Sequence, residues 1–445
     1  MMRRPNLIPL AVACLVLLAP ACGEPPPPPP GNVLLVIVDT ARADHLSTFG
    51  YLRPTSPNLD RLAAEGQRFD AAWSQSPWTL PSIATILTGQ PPHVHGATRG
   101  ERGIHPVRDE VETLAQRLRS VGYATAAFIN VLWCAPEISG LDRGFDLYDY
   151  HETDESNRGH RNASETTDAV LAWLDLAGDD PFFIVTHYFD PHLTYDPPAP
   201  YDTIYERGPG PRVPAGFGNA SQVFAIRDGR IRLTPGQRES LIARYDGEIR
   251  FTDEQFGRLR EGLVQRGRWD DTLVIVVGDH GEEFWEHGGF EHGHSHHREL
   301  LRMPLIVRRP GGPSGAIIGD RVRQIDIAPT ILDFAGMERP DDQSGFVLGT
   351  HAADYAVAEG SLWAGDLVSV RSDRGTLILN RDDGAATFYA PDDTFELEPL
   401  PVDSQEARDL LGLLEALPAL GTQEANPNPL TEEQLERLRS LGYIR

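Results

Sequence analysis

The stretch Asn32-Val33-Leu34-Leu35-Val36-Ile37-Val38-Asp39 decides how this chain is read. Six consecutive aliphatic side chains, four of them β-branched, form a strand with no polar face, and such strands are buried on both sides. Residues 182–188 (FFIVTHY) and 272–277 (TLVIVV) have a similar form. Helical patterns lie between them at residues 56–65, 111–120, 163–176 and 239–258. Strands alternating with helices imply an α/β sandwich around a mostly parallel sheet, in which ligands gather beyond the C-terminal strand ends. Those ends read Asp39-Thr40, Asp190-Pro191-His192 and Asp279-His280-Gly281.

Carboxylates and an imidazole arriving from neighbouring strand ends suit a divalent cation. An Asp after a strand also serves as the N-cap of the next helix, so no one of these residues is decisive alone. The segment Ser76-Pro77-Trp78-Thr79-Leu80-Pro81-Ser82, followed by the apolar residues 83–87, adds a third element. It predicts a helix with Thr79 at the N-cap and Pro81 in the first turn, whose free N–H groups and dipole face an anionic ester. A bare threonine hydroxyl is a poor nucleophile, and coordination to a cation activates it. Asp39, Thr79, Asp279 and His280 therefore read as the metal-holding set, with Thr79 as the catalytic nucleophile and Mn, Zn, Mg or Ca as the cofactor.

The 445 residues are 40% hydrophobic and 24% charged, enough for a large folded core. Asp and Glu total 65 against 40 basic residues, all arginine, for a net charge of −25. That balance excludes nucleic-acid binding through a basic face and favours small or zwitterionic substrates over polyanions. Cys14, Cys22 and Cys134 are too few and too scattered for a disulfide framework or a thiolate zinc site.

Arg3 and Arg4 precede an apolar run at residues 7–18, which is short for a membrane span and has the form of a secretory signal covering residues 1–21. Leu18-Ala19-Pro20-Ala21-Cys22 resembles a bacterial lipobox, which implies lipidation of Cys22 and a lipid anchor in the cell envelope. Cleavage beside Ala21 to give a secreted protein is the alternative. Gly23-Glu24 and Pro25 to Pro30 form a stiff polyproline spacer, so residues 22–31 read as a tether.

Several motifs resemble the sulfatase family of the alkaline phosphatase superfamily, in the family's order over residues 32–336. They are residues 32–39 with Arg42-Ala43-Asp44, Thr79-Leu80-Pro81-Ser82 with Thr88-Gly89, Gly122-Tyr123-Ala124-Thr125, Asp190-Pro191-His192, Asp279-His280-Gly281-Glu282 and residues 302–307. The resemblance implies an alkaline phosphatase-like α/β sandwich over 32–336, with a small antiparallel subdomain and a terminal helix in 337–445. Candidate strands there are residues 367–371, 376–380 and 386–389, with a hairpin turn at Asp382-Asp383-Gly384. Thr431-Glu432-Glu433-Gln434 is a capping box opening the last helix.

The departures from the family pattern bear on the chemistry. Sulfatases carry Cys or Ser converted to formylglycine in a Cys/Ser-x-Pro-x-Arg motif, whereas here Thr79 and Ile83 occupy those positions, so formylglycine cannot form. Thr40 stands where a second Asp is usual, the sulfate-holding lysines are absent, and His280 replaces a frequent Asn. Asp, Thr, Asp, His resembles the set of superfamily phosphodiesterases and phosphoglycerol transferases with a threonine nucleophile. The reading is a metal-dependent hydrolase of sulfate or phosphate esters, favouring phosphoester hydrolysis or transfer. A sulfatase using Thr79 directly, or a silent binding lipoprotein, is the alternative.

Asn130, His192 and His294 are the candidates for substrate binding. Asn130 could donate to an equatorial oxygen, and His192 could bind substrate or protonate the leaving group. Asp190, His192 and His294 could instead hold a second metal. The stretch 287–297 holds five histidines, of which His296 and His297 read as solvated loop residues, while His294 falls about where the family's substrate lysine lies. An imidazole binds an anion only when protonated, so a substrate role for His294 makes activity pH-dependent near neutrality. A His294→Ala variant is expected to lose that dependence between pH 5 and 9; an unchanged profile removes the role.

Overall fold

A computed structural model describes residues 31–100, 103–151, 161–206, 211–418 and 420. The signal, Cys22, the proline tether and the Thr431 helix lie outside the described residues. The central sheet has eight strands: β1 Asn32–Val38, β2 Gln67–Trp73, β3 Ala124–Ile129, β4 Leu147–Tyr150, β5 Phe182–Tyr188, β6 Thr272–Gly278, β7 Leu305–Arg308 and β8 Ala316–Arg323, in the order β8-β2-β7-β6-β1-β5-β3-β4. All pairs are parallel except those of β7, which runs antiparallel to β6 and β2.

Helices cover both faces, which is why β1, β5 and β6 are buried throughout. Val33, Leu35 and Ile37 of β1 pack with Phe183, Val185, Leu273, Ile275 and Val277 under α2 (Thr79–Thr88), α3 (Leu114–Ser120) and α6 (Ile327–Phe334). Leu34, Val36 and Val38 point to the other face, under α1 (Pro57–Glu65), α4 (Ala163–Leu174) and α5 (Pro235–Gln265). Each fully buried aliphatic side chain contributes about 1.5–3 kcal/mol. The same alternation aims the strand ends, because Asp39, His187 and Asp279 lie two residues on from Ile37, Val185 and Val277, towards the face that α2 covers.

Among the described residues the helices predicted from sequence form, with shifted ends. Capping boxes set the starts: Thr113 with Gln116 begins α3 at Leu114 rather than Val111, and Thr234 with Gln237 begins α5 four residues before Glu239. Trp78, not Thr79, is the N-cap of α2, so Thr79 is its first helical residue. Among the described residues no helix is long and apolar enough to cross a membrane.

The small C-terminal sheet comprises β9 Ala356–Glu359, β10 Leu367–Ser372, β11 Gly375–Asn380 and β12 Ala386–Tyr389, all antiparallel. Leu410 and Leu414 of α7 (Gln405–Glu415) pack on Val368, Val370, Leu377 and Leu379. The turn between β11 and β12 is the Asp-Asp-Gly hairpin read from the sequence, closed by Asn380 N donating to Ala385 O at 2.8 Å.

Gly281 permits close packing just beyond the C-terminal end of β6, since a Cβ there would collide with the Glu299 carbonyl oxygen. Gly281→Ala is expected to destabilise the protein by about 1–3 kcal/mol. Gly412→Ala, in open space on α7, is expected to stabilise it by about 0.5–1 kcal/mol. Urea unfolding midpoints of the two variants check the opposite signs.

Candidate metal and catalytic centre

The centre forms where the turns after β1 and β6 meet the first residue of α2. Asp39 N donates to Tyr188 O at 3.0 Å, keeping β1 in register to its last residue. Thr40 then adopts a left-handed φ of 52° and turns its N–H onto Asp279 Oδ1 at 3.1 Å. His280 N donates to the same oxygen at 2.7 Å. Asp279 Oδ1 is therefore held by two backbone donors, while Asp279 Oδ2 and both Asp39 oxygens are buried with no hydrogen-bond partner.

His280 Nδ1 lies 3.0 Å from Gly281 O. A carbonyl only accepts, so Nδ1 carries the proton of the neutral ring and Nε2 the lone pair. Nε2 faces Asp279 Oδ2 at 3.3 Å, Asp39 Oδ1 at 3.6 Å and Thr79 Oγ1 at 3.2 Å. Donor atoms of Asp39, Asp279 and His280 lie within 4.8 Å of one another. Orphaned buried carboxylate oxygens around an imidazole lone pair fit a hard or borderline divalent cation. Behind them, Ser82 Oγ and Gln324 Nε2 both donate to Asp279 O at 2.5 Å, clamping α2 and the segment before α6 to the end of β6.

Burial pushes Asp39 up to about 7, against the pull of His280. It pushes Asp279 to about 7 as well, with the Asp39 charge adding to the effect. Burial also works against a charged His280, but Asp279 and Asp39 outweigh it and raise that pKa. Protons and a cation thus compete for the same atoms.

The other predicted residues are placed differently from the sequence reading. Asn130 is buried, and its amide nitrogen donates to Thr166 Oγ1 at 3.0 Å and His187 O at 2.6 Å. Its two hydrogens are thereby engaged within the protein, and in this arrangement it braces β5 instead of donating to a substrate. His192 Nδ1 meets Leu193 O at 2.7 Å, which leaves the lone pair on Nε2, and burial pushes the ring down to about 3. At neutral pH the ring is uncharged and has no second proton for a leaving group, the one of its two sequence-read roles that this placement disfavours. His294 Nε2 is 2.7 Å from Glu283 Oε2, and Asp190 Oδ2 accepts from Ala163 N at the start of α4 at 2.8 Å. Asp190, His192 and His294 do not form a metal-holding group among the described residues.

His296 is not solvated, as its sequence context suggested: it is fully buried, 3.0 Å from Ser369 Oγ and 2.7 Å from Gly360 O of the C-terminal subdomain. His297 stacks on His287 with ring centroids 3.6 Å apart. Residues missed from sequence surround the centre. His292 packs on His280 (4.5 Å between centroids) and meets Glu282 Oε1 at 3.0 Å, and Glu282 Oε2 accepts from Tyr195 OH at 2.8 Å. His187, inside a strand read only as core, reaches Asp39 Oδ2 at 3.3 Å. Strand alternation was the signal that could have found it.

A carboxyl whose pKa is raised by folding stabilises the folded state fully below its ordinary value of 3.8, and that contribution is lost as pH rises through 7. In chelator-treated protein, Asp279→Asn is therefore expected to match the wild type in thermal midpoint near pH 4 and to exceed it above pH 7. The difference between the two melting curves across pH 4–8 checks the sign.

Residues 31–337 match the family model of the sulfatases. An arylsulfatase of Clostridium perfringens is 26% identical over 375 residues, covering 71% of this chain and 77% of its own. A multifunctional alkaline phosphatase superfamily protein of Trinickia caryophylli is 28% identical over 388 residues, covering 69% and 74%. The solved phosphonate monoester hydrolase of Silicibacter pomeroyi superposes with a TM-score of 0.70 at 24% identity, over 86% of this chain and 94% of that one. The chain belongs to the sulfatase family, and is a sulfate or phosphate ester hydrolase of the alkaline phosphatase superfamily.

Proposed function

We propose that this sulfatase-family protein hydrolyses phosphate or phosphonate esters with Thr79 as its nucleophile. The observation that carries the reading is the Thr79 hydroxyl, buried at the first residue of α2 and 3.2 Å from His280 Nε2, beside two carboxylates with orphaned oxygens. Asp39, Asp279 and His280 would hold a divalent cation, which when bound supplies Lewis acidity at the Thr79 hydroxyl. The N–H groups of Thr79 and Leu80 have no acceptor within the helix and suit an anionic ester oxygen. Thr79 Oγ attacks phosphorus, the bond to the alcohol breaks, and water or an alcohol resolves the Thr79 ester. His192, neutral with Nδ1 on a backbone carbonyl, is suited to contact the substrate without adding a charge.

The choice of phosphorus over sulfur rests on what the chain lacks: a formylglycine precursor at position 79 and any lysine to hold sulfate. The phosphonate monoester hydrolase among its structural neighbours is consistent with that choice. Direct use of Thr79 on sulfate esters is the second reading, favoured by the likeness to an arylsulfatase. The acidic chain, at −25, favours small or zwitterionic substrates. For the N-terminus the proposal is lipidation at Cys22 and anchoring in a bacterial cell envelope, resting on the lipobox resemblance and the proline tether. Mass analysis of the mature N-terminus tests it.

Matched aryl phosphate, phosphodiester, phosphonate and sulfate esters, each with Mn, Zn, Mg or Ca, separate the readings. Phosphorus esters are expected to turn over and Thr79→Ala to reduce the rate by about 10⁴-fold or more, with Thr79→Ser retaining part. Turnover of sulfate esters alone supports the second reading. No turnover sensitive to Thr79 in folded, metal-loaded protein leaves a binding lipoprotein.

A further inference from the structure

His187 is an anomaly in its strand. Phe183 and Val185 precede it on the same face and belong to the apolar core. The imidazole is fully buried, and neither Nδ1 nor Nε2 has a hydrogen-bond partner. Burying a polar ring with nothing to satisfy it is unfavourable, and a Leu or Phe would continue the pattern of the strand. The ring stands 3.3 Å from Asp39 Oδ2, an oxygen that is itself unpartnered, but off the line a hydrogen bond requires. The other oxygen, Asp39 Oδ1, faces His280 Nε2 at 3.6 Å. Asp39 thus lies between two imidazoles, one within the metal-holding group and one behind it.

The strand holding His187 is braced at that residue. Asn130 Nδ2 donates to His187 O at 2.6 Å, Arg161 Nε donates to Asn130 Oδ1 at 2.9 Å, and Arg161 pairs with Asp149 at 2.6 Å. A chain of polar contacts therefore runs from the edge of the sheet to the back of Asp39.

We infer that His187 is a positioning residue of the metal centre, donating from Nε2 to Asp39 Oδ2 when a cation occupies Oδ1, so that the carboxylate is held in ligating orientation. The inference rests on the reading of Asp39, Asp279 and His280 as metal ligands. Small rotation of the Asp39 carboxylate brings the two unpartnered atoms into line, so that one adjustment serves both the cation and the ring. Carboxylate ligands are commonly secured in this way, and loss of such a partner weakens metal binding by about 10- to 100-fold.

The test is titration of chelator-stripped full-length protein with Mn(II), read from the electron paramagnetic resonance signal of free ion, alongside melting curves of the metal-free forms. The proteins are wild type, His187→Leu, His187→Gln and Asp39→Ala. His187→Leu is expected to bind Mn(II) about 10- to 100-fold more weakly while its metal-free form melts no lower than the wild type. His187→Gln, whose amide reaches about as far as Nε2, is expected to stay within about threefold of the wild type. Wild-type affinity in His187→Leu overturns the inference, as does equal weakening of the Leu and Gln variants. Wild-type affinity in Asp39→Ala, or no uptake by the wild type, overturns the metal centre itself and the role of His187 with it.

Discussion

Two carboxylates, Asp39 and Asp279, are buried side by side at the C-terminal ends of adjacent parallel strands, and three of their four oxygens have no partner in the protein. Removing an ionised carboxylate from water is strongly unfavourable unless it is paired, and a second one beside it is worse. A cation resolves the conflict, and so does a proton, which is why both groups are pushed up to about 7. Much of the surrounding structure holds these two groups together against their repulsion.

Three devices do so. Backbone N–H groups of Thr40 and His280 fix one oxygen of Asp279. Ser82 and Gln324 clamp the Asp279 carbonyl, which sets the height of α2 and so places Thr79 against His280. Arg42, itself buried, donates to Glu282 O at 2.8 Å and pairs with Asp44 and Glu286, joining the turn after β1 to the turn after β6. All of these contacts lie within the protein. Each restricts where the orphaned oxygens can point, and a preorganised site depends on that restriction.

The fold was largely legible because strands buried on both faces leave long aliphatic runs, and their C-terminal ends display the polar residues. Asp39, Asp279 and His280 were read that way, at points where an apolar run stops, and Thr79 from a proline-bearing helix start that precedes the apolar residues 83–87. His187 escaped because it sits inside such a run, one residue before its end, where a histidine looks like part of the core. Glu282 and His292 are ten residues apart and meet only because the hairpin of Glu283–Phe284 and Phe290–Glu291 folds the segment back. His296 read as a solvated loop residue because the subdomain that buries it lies more than sixty residues further along the chain.

Local sequence determined which elements form and which residue types stand at the strand ends, since hydrophobic periodicity and capping act over a few positions. It also determined the absence of lysine, a matter of composition, and the threonine at position 79. Tertiary structure decided the roles. Whether Asn130 faces a substrate or a carbonyl, and which oxygens of Asp39 and Asp279 stay unpartnered, depend on groups brought together from 57 and 239 residues apart. Hydrogen bonds and burial are set by neighbours in space, and no spacing along the chain specifies them.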